Sequence, residues 1–445
     1  MTARHRDDAA IAAAIAHMAT PLESTGESYD AVLECIGDAS IVLLGESTHG
    51  THEFYAARAE LTRRLVTEKG FSAVCLEADF PHTLRVHRYV RGEGNGRFAS
   101  GAADESADDA LAGFQRFPQW MWRNTVFVEL VETLRSLDRK ASVFGLDLYS
   151  LHDSMREVIA YLERADPEEA ERARARYACF DHYASDPQTY GYVMSGLGGA
   201  ASCEEQVVEQ LLSMQRAMME TAGPEPFYAA LNALVVKNAE AYYRAMYRGR
   251  VKSWNLRDTH MSEALAAVLS HLEEATGSAK VVVWAHNSHL GDARATELGR
   301  AGELNLGQLV RSRYGAAARL IGFSTYEGTV TAAYDWDGPA ERRRVRRGMR
   351  GSYEELFHEA GVPRFFLDMR RLGEASGALR EQRLQRAIGV IYRPESERLS
   401  HYFHARVAEQ FDGIIHLDRT TALEPLEREA AWVAGEAPET WPSSL

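Results

Sequence analysis

Three short apolar runs, two of them rich in β-branched residues, lead directly into acidic and histidine residues. The runs and the polar segments after them are Ile41–Leu44 before Gly45–Glu53, Phe71–Leu76 before Glu77–Asp79, and Lys280–Trp284 before Ala285–His289. Such runs are typical of buried parallel strands, and ligands of open α/β sheets bind beyond the carboxyl ends of those strands. If the three strands are neighbours, Glu46, His49, Glu77, His286 and His289 face one crevice.

The rest of the pattern predicts an α/β fold, with a mainly parallel sheet core interrupted by helices. The first ninety residues alternate helix, strand, helix and strand, which is a βαβ beginning. Residues 110–275 have apolar residues at three- and four-residue spacing, apart from a strand-like run at 141–148, so we expect an inserted helical subdomain. Residues 92–109 lack apolar periodicity, and we expect a loop there that could act as a lid.

The last third predicts several strands with few helices long enough to alternate with them. The strand-like runs are Arg319–Phe323, Arg364–Asp368, Ala387–Tyr392 and Gly413–Leu417. We therefore expect a small α+β subdomain beside the main sheet. The predicted division is a catalytic core at 1–91, 141–150 and 276–325, a lid loop and helical insertion at 92–140 and 151–275, a small α+β unit at 326–400, and a C-terminal return to the core at 401–445.

Composition and charge narrow the class of partner. The 445 residues are 45% hydrophobic with a formal net charge of −14, which is typical of a globular protein and argues against general binding to nucleic acid or anionic membrane. We expect a small-molecule substrate. The start of the chain lacks the apolar core of a signal peptide, which favours a cytoplasmic protein. The four scattered cysteines, Cys35, Cys75, Cys179 and Cys203, are expected to be free thiols.

Glu46 and His49 are three residues apart directly after the first run. If Ser47 or Thr48 begins a helix, the Glu46 carboxylate can accept a hydrogen bond from one imidazole nitrogen while the other nitrogen does chemistry. An alternative is ordinary N-terminal capping by Ser47 or Thr48 with solvated charges. Both interpretations stay open from this segment alone.

His286 and His289 are separated by two residues. This spacing suits one metal ion, or one acid/base residue with one electrophilic donor, and it is also compatible with two structural histidines. A zinc site would need a third ligand, for which His49, Glu77 or Glu46 is available.

Further candidates lie on other segments. Arg58, on a predicted helix over 53–68, could bind a carboxylate or stabilise an oxyanion. The candidates for substrate binding are His52, Asp147, Tyr149 and Arg257. Asp258 is expected to be a helix cap, and the basic run at 341–347 a solvated, ion-paired loop. The chain has neither a Gly-x-Ser-x-Gly elbow nor a P-loop, which argues against a serine nucleophile and a P-loop nucleotide site.

The three motifs, in this order, resemble the erythromycin esterase family. The matching segments are Gly45–Phe54, Leu76–Asp79 and Trp284–Asp292. The resemblance implies a hydrolase that needs no metal or other cofactor, in which His49 is the general base that activates water. It places the other catalytic residues on Glu46, Arg58, Glu77, His286 and His289, and it implies an α/β core with a helical insertion and a small α+β unit.

We therefore expect a hydrolase of a carboxylic ester or lactone, with His49 oriented by Glu46. In this hypothesis His289 and Arg58, helped by His286, stabilise the oxyanion or protonate the leaving alkoxide, and Glu77 tunes one histidine. The long segment from Thr48 to Phe54 is more similar to the broad environmental branch of the family than to the resistance esterases that open macrolide antibiotics. Alternatives are a natural-product tailoring enzyme doing acyl transfer or cyclisation, a metal-dependent hydrolase and a non-catalytic binding protein.

Overall fold

The computed structural model of the chain describes residues 3–23, 29–94, 103–183, 187–195, 202–221, 223–372, 376–428 and 430–434. The strands of these segments are β1 (Thr20–Pro21), β2 (Ile41–Leu44), β3 (Ala73–Asp79), β4 (Ser142–Asp147), β5 (Val281–Trp284), β6 (Ala318–Ala332), β7 (Glu341–Val345), β8 (Arg364–Asp368), β9 (Arg383–Arg386), β10 (Tyr402–Ala405) and β11 (Gly413–Thr420).

Many helices surround these strands. In chain order the α-helices of the described segments are α1 (Ala3–Met18), α2 (Asp30–Ile36), α3 (His52–Lys69), α4 (Phe80–Arg91), α5 (Ala107–Leu111), α6 (Thr125–Ser136), α7 (Leu151–Ala165), α8 (Pro167–Tyr177), α9 (Pro187–Ser195), α10 (Glu204–Glu220), α11 (Glu225–Ala245), α12 (Arg250–Thr276), α13 (Asn287–Leu290), α14 (Glu297–Arg300), α15 (Leu306–Tyr314), α16 (Tyr353–Glu359), α17 (Ser376–Leu379), α18 (Glu397–Ser400), α19 (Val407–Gln410) and α20 (Ala430–Ala434). No helix in the described part of the chain is both long and apolar enough to cross a membrane.

A nine-stranded sheet forms the centre of the fold. Its order is β1-β8-β11-β6-β2-β5-β3-β4, and β7 pairs with the far end of β6. The six strands from β11 to β4 run parallel, whereas β8, β1 and β7 are each antiparallel to the strand they join. The α/β prediction with a mainly parallel core is confirmed, and β2, β5 and β3 are neighbours whose carboxyl ends lie at one edge.

Both faces of this sheet are covered, which is why its central strands are apolar without alternation. In β2, Val42 and Leu44 pack into one hydrophobic core while Ile41 and Leu43 pack into a second core on the opposite face. Successive strand residues point to opposite faces, so a strand buried on both sides needs an apolar residue at every position. The same argument applies to β5, whose four residues are all buried.

The long helical stretch between β4 and β5 has a core of its own, built from α7 to α11. Within it, Cys179 and Cys203 form a disulfide, so the expectation of four free thiols is wrong for this pair; Cys35 and Cys75 are free and buried. The packing of the helices brings the two sulfur atoms together, and a spacing of 24 residues does not reveal that contact. The division of the chain into units stays a prediction.

The expected lid at 92–109 lies partly outside the described residues. Its described end contains Ser106, which caps α5 in a capping box with Asp109. Residues 107–109 of the segment are therefore helical, and its other described part, residues 92–94, begins with Gly92, the C-cap of α4.

Two expectations for the last third are wrong. The basic run does not form a loop: its first residues form β7, where the buried Arg343 and Val345 alternate with exposed Arg342 and Arg344. Such alternation is the pattern of an edge strand with one solvated face. Residues 387–392 do not form a strand, because β9 ends at Arg386. They make two isolated bridges, one between Ile388 and Thr48 and one between Ile391 and Ala333. A separate two-stranded sheet joins β9 and β10.

Candidate active site

The segments after β2 and β5 and the end of β3 bring the predicted acid and histidine residues together. Glu46 and His49 follow β2, Glu77 lies near the end of β3, and His286 and His289 lie at the short helix α13. All five side chains are buried. Hydrogen bonds link them into two groups, one around His49 and one around Glu77.

The first group fixes His49. Its Nδ1 lies 2.9 Å from Glu46 Oε1, and because a carboxylate can only accept, Nδ1 carries the proton. The other oxygen of Glu46 accepts a 2.6 Å hydrogen bond from Arg58 Nη2. This arrangement leaves the lone pair of the His49 ring on Nε2, the nitrogen that a general base would use.

The capping interpretation of this segment does not hold. The helix α3 begins only at His52, with Thr51 as its N-cap, and Thr51 makes no side-chain cap hydrogen bond. The Glu46 side chain is 2% exposed, so its charge is paired rather than solvated. Segment 45–51 is therefore an ordered loop that positions His49.

Close contacts with Asn287 and with the main chain of Thr331 hold this loop against the sheet. A β-carbon added at Gly45 would lie 2.1 Å from Asn287 Oδ1, and one at Gly50 would lie 1.9 Å from the Thr331 carbonyl oxygen. The backbone nitrogen of Asn287 donates to the Glu46 carbonyl, and its side-chain amide donates to the Phe323 carbonyl. Asn287 thus joins the ends of β2 and β5 to the interior of β6, and the two glycines permit the approach.

Arg58 lies beneath Glu46 and away from the crevice. Its side chain is 0% exposed, and its guanidinium carbon is 4.4 Å from the ring centroid of Tyr55 and 4.5 Å from that of Trp284. Cations are stabilised by such aromatic faces. In this position the guanidinium acts on the Glu46 carboxylate and does not meet a substrate.

The second group is centred on Glu77. One oxygen accepts from the backbone nitrogen of His286 at 2.8 Å; the other accepts from Arg257 Nη2 at 2.7 Å and lies 3.3 Å from His289 Nε2. Burial alone would raise the pKa of Glu77, but the charges of His289 and Arg257 hold that pKa well below its ordinary value. Glu77 is therefore an ionised carboxylate at neutral pH.

The two histidines after β5 differ in charge. Burial and the nearby His49 lower the pKa of His286 well below its ordinary value, so that ring is neutral. Burial would also lower the pKa of His289, but Asp258 and Glu77 raise it to about 9, so that ring is an imidazolium. The His286 ring lies 4.8 Å from the His49 ring, between centroids.

Arg257 and Asp147, two of the predicted substrate-binding residues, form an ion pair at the same edge. Arg257 Nε and Nη2 donate to the two Asp147 oxygens at 3.0 and 2.7 Å. The guanidinium also lies 5.0 Å from the ring centroid of Tyr149. The fourth predicted substrate-binding residue, His52, is the first residue of α3. It takes no part in the side-chain hydrogen bonds described above for the two groups.

Asp258 and Trp254 belong to the site, and the expectation that Asp258 caps a helix is wrong. Asp258 lies inside α12, fully buried, and both its oxygens meet His289 Nδ1, at 2.9 and 3.0 Å. Trp254 stacks on the His289 ring at 4.5 Å between centroids. The spacing of four residues, which puts Trp254 and Asp258 on one helix face, is the signal that could have found them.

The described residues contain no group of three His, Cys, Asp or Glu side chains arranged to hold a metal ion. The two histidines with metal-like spacing have different partners, since His286 Nδ1 meets Ser288 Oγ while His289 Nδ1 meets Asp258.

Comparison with known proteins gives one family match. Residues 66–420 match the family model described as erythromycin esterase, a range that includes Glu77 and His289 and begins after His49. The erythromycin esterase type II of Escherichia coli is 22% identical over 438 residues, which cover 92% of this chain and 97% of that protein.

The solved structures that resemble this chain share its fold. A protein from Bacillus cereus has a TM-score of 0.74 at 20% identity, covering 94% of this chain and 99% of its own. A mutant of the erythromycin esterase EreC, in its open conformation, has a TM-score of 0.65 at 17% identity, covering 92% and 97%. The α/β architecture is therefore common to these proteins over nearly their whole lengths.

Proposed function

This chain belongs to the erythromycin esterase family, which indicates a hydrolase, and we propose that it cleaves a carboxylic ester or lactone of a small molecule with water activated by His49. One observation carries the proposal. The buried Glu46 carboxylate holds the proton on His49 Nδ1, so that Nε2 is the basic nitrogen. A base held in one tautomer and one orientation is the arrangement that proton abstraction from water requires.

The proposed reaction has no covalent enzyme intermediate. His49 Nε2 takes a proton from water as the oxygen attacks the carbonyl carbon, and the bond to the leaving alkoxide then breaks. His289 and Arg257 carry positive charge at this edge, and they are suited to stabilise the negative charge that develops on the carbonyl oxygen.

Arg58 has a different role in this proposal from the oxyanion donor expected from the sequence. Because its guanidinium is buried against Glu46 and two aromatic rings, we assign it to hold the Glu46 side chain in place. It is a positioning residue, two hydrogen bonds away from the basic nitrogen of His49.

The test is mass spectrometry of macrolides, simple lactones and aryl esters incubated with the protein in H₂¹⁸O, with and without a chelator. We expect an opened lactone to be heavier by one water and an ester to give an acid and an alcohol whose masses add up to the ester plus one water, with ¹⁸O in the new carboxylate and no effect of the chelator. Transfer or cyclisation would add no water, and loss of activity with chelator would indicate a metal-dependent hydrolase.

Two variants connect this activity to the site. His49→Ala should lose about 10²- to 10⁴-fold in rate with an unchanged fold, because proton transfer by a positioned side chain contributes about that much. His404→Ala is the matched control, since that exposed histidine pairs with Glu297 outside the two groups and should leave the rate unchanged. Full activity in His49→Ala would contradict the proposal.

A further inference from the structure

His289 is held on three sides by residues of other segments. Its Nδ1 donates to Asp258, and its Nε2 lies 3.3 Å from Glu77 Oε1 and 3.1 Å from Arg257 Nη1. The Trp254 ring is nearly parallel to the imidazole, with 7° between the planes. The contacts with Asp258, Glu77 and Trp254 fix the position of the ring, whereas Arg257 Nη1 is a donor and cannot hydrogen-bond to Nε2 when that nitrogen is protonated.

The supports of His289 are themselves anchored. Asp258 Oδ1 also accepts a 2.8 Å hydrogen bond from the backbone nitrogen of Leu306, so the carboxylate cannot rotate away without losing it. The indole Nε1 of Trp254 donates to the Leu304 carbonyl at 2.9 Å. The N-terminal end of α15 and the segment before it therefore hold Asp258 and Trp254 against the ring.

The charges around His289 favour its protonated form. Asp258 faces it from α12, Glu77 from β3 and Glu303 from the segment before α15, whereas Arg257 opposes them. His286, the remaining titratable neighbour, is neutral. With Asp258 accepting from Nδ1, the second proton of the imidazolium is on Nε2, where Glu77 accepts it.

We infer that Asp258 is a positioning residue that keeps His289 as an imidazolium, and that the Nε2 proton, which Glu77 accepts in the free enzyme, passes to the leaving alkoxide during the reaction. The inference rests on the proposed function. In this inference His289 donates a proton, and the Asp258 carboxylate is buried inside α12 because it holds that histidine in its charged form.

The proton balance of this reaction closes over one turnover. Water gives a proton to His49 and its oxygen to the acyl carbon; the carbon–oxygen bond of the ester breaks, and His289 Nε2 gives its proton to the alkoxide. The acid product leaves with its own proton or loses it to solvent. His49 then releases its proton to solvent and His289 takes one up, which restores both rings.

The first measurement is the titration of His289 in protein labelled with ¹⁵N-histidine, with His289→Gln to identify the signal. In the wild-type protein both ring nitrogens should carry protons at pH 7.5. In Asp258→Asn, which keeps the shape and removes the charge, the midpoint should fall by about 1 to 3 pH units, the size expected for loss of an adjacent opposite charge. A neutral His289 in the wild-type protein at pH 7.5 would overturn the inference.

The second measurement is the pH dependence of ester cleavage. In Asp258→Asn, the pH at which kcat falls on the alkaline side of its profile should decrease by the same number of pH units as the His289 midpoint. KM should change by no more than about twofold, since the interaction acts in the transition state. Asp258→Glu restores the charge and should raise that pH again. The control is Asp418→Asn, which removes a carboxylate from another buried histidine, His416, far along the sheet.

The outcomes separate the inference from the proposed function. If Asp258→Asn keeps the wild-type His289 midpoint and kcat profile, the inference is wrong while the hydrolase proposal stands. If the wild-type protein cleaves no ester, the hydrolase proposal fails, and the midpoint shift still decides whether Asp258 sets the charge of His289. Should Asp258→Asn not fold, Asp258→Ser removes the same charge with a smaller side chain, and the His289 midpoint in that variant decides the question.

Discussion

The ion pair of Arg58 and Glu46 is buried, and its burial determines how much stability the protein should lose when Arg58 is replaced. Replacing Arg58 with Met keeps most of the side-chain volume and removes the guanidinium, which leaves the Glu46 carboxylate buried with His49 as its remaining side-chain partner. The two side chains are 0% and 2% exposed, so water cannot replace the lost partner. Breaking a buried pair in this way costs about 3 to 5 kcal/mol.

A loss of that size is a large fraction of the ~5 to 15 kcal/mol by which folded domains are stable. The matched control lies on the same helix: Arg63 pairs with Glu60 at 2.7 Å, but the two side chains are 40% and 26% exposed. Arg63→Met should therefore cost about 0 to 1 kcal/mol. Both variants remove an arginine of α3 that pairs with a glutamate, so the difference between them reports the burial of the Arg58 pair together with the contacts of Arg58 with two aromatic rings.

Urea unfolding of both variants measures these free energies. A double-mutant cycle of Arg58→Met with Glu46→Gln should give an interaction energy of about 1 to 3 kcal/mol, because Arg58 has less to stabilise once Glu46 is neutral. Ester cleavage should fall in both single variants, since each loosens His49. Equal costs for Arg58→Met and Arg63→Met, or additive effects in the cycle, would refute this reasoning.

Two further predictions concern charge and close packing. Because the folded pKa of His289 is about 9, above its ordinary 6.5, its protonation stabilises the protein fully below pH 6.5, and this contribution of about 3 kcal/mol is lost as pH rises through 9. Urea midpoints from pH 6 to 9.5 should therefore fall more in the wild-type protein than in His289→Gln; equal slopes would argue against a charged His289. Gly50→Ala should lose stability and activity, at a cost of about 1 to 3 kcal/mol or more, because its β-carbon meets the Thr331 carbonyl oxygen at 1.9 Å, whereas nothing lies within 4 Å at Gly389. Similar thermal melting of Gly50→Ala and Gly389→Ala would contradict that expectation.

The sheet was predictable where burial on both faces demands unbroken apolar runs. Ile41–Leu44 and Val281–Trp284 could be recognised as strands for that reason, and their parallel pairing placed Glu46 and His286 at one edge. The antiparallel β7 was missed because its arginines suggested a solvated loop, and only its partner β6 shows why alternate arginines are buried.

The supports of the site were less predictable than its histidines. Asp258 is 31 residues from His289 in the chain, and local periodicity does not show at what angle α12 crosses the sheet edge. Arg58 was expected near the crevice, but α3 turns its guanidinium under Glu46 instead. In both cases the missing information is the relative placement of elements, which only the packed structure contains.

The position of β2 has a consequence for synthesis of the chain on the ribosome. Its partners in the sheet are β5 and β6, which begin at Val281 and Ala318, so β2 leaves the ribosome about 240 residues before either partner exists. At roughly 5 to 20 residues per second this interval lasts about 10 to 50 s. During this interval the helices α7–α11 can pack their own core. The apolar strand β2 meanwhile lacks both of its neighbouring strands, and unpaired strand edges promote aggregation. We therefore expect a chain truncated before Val281, which lacks both His286 and His289 and leaves the two edges of β2 without these partners, to be prone to aggregate.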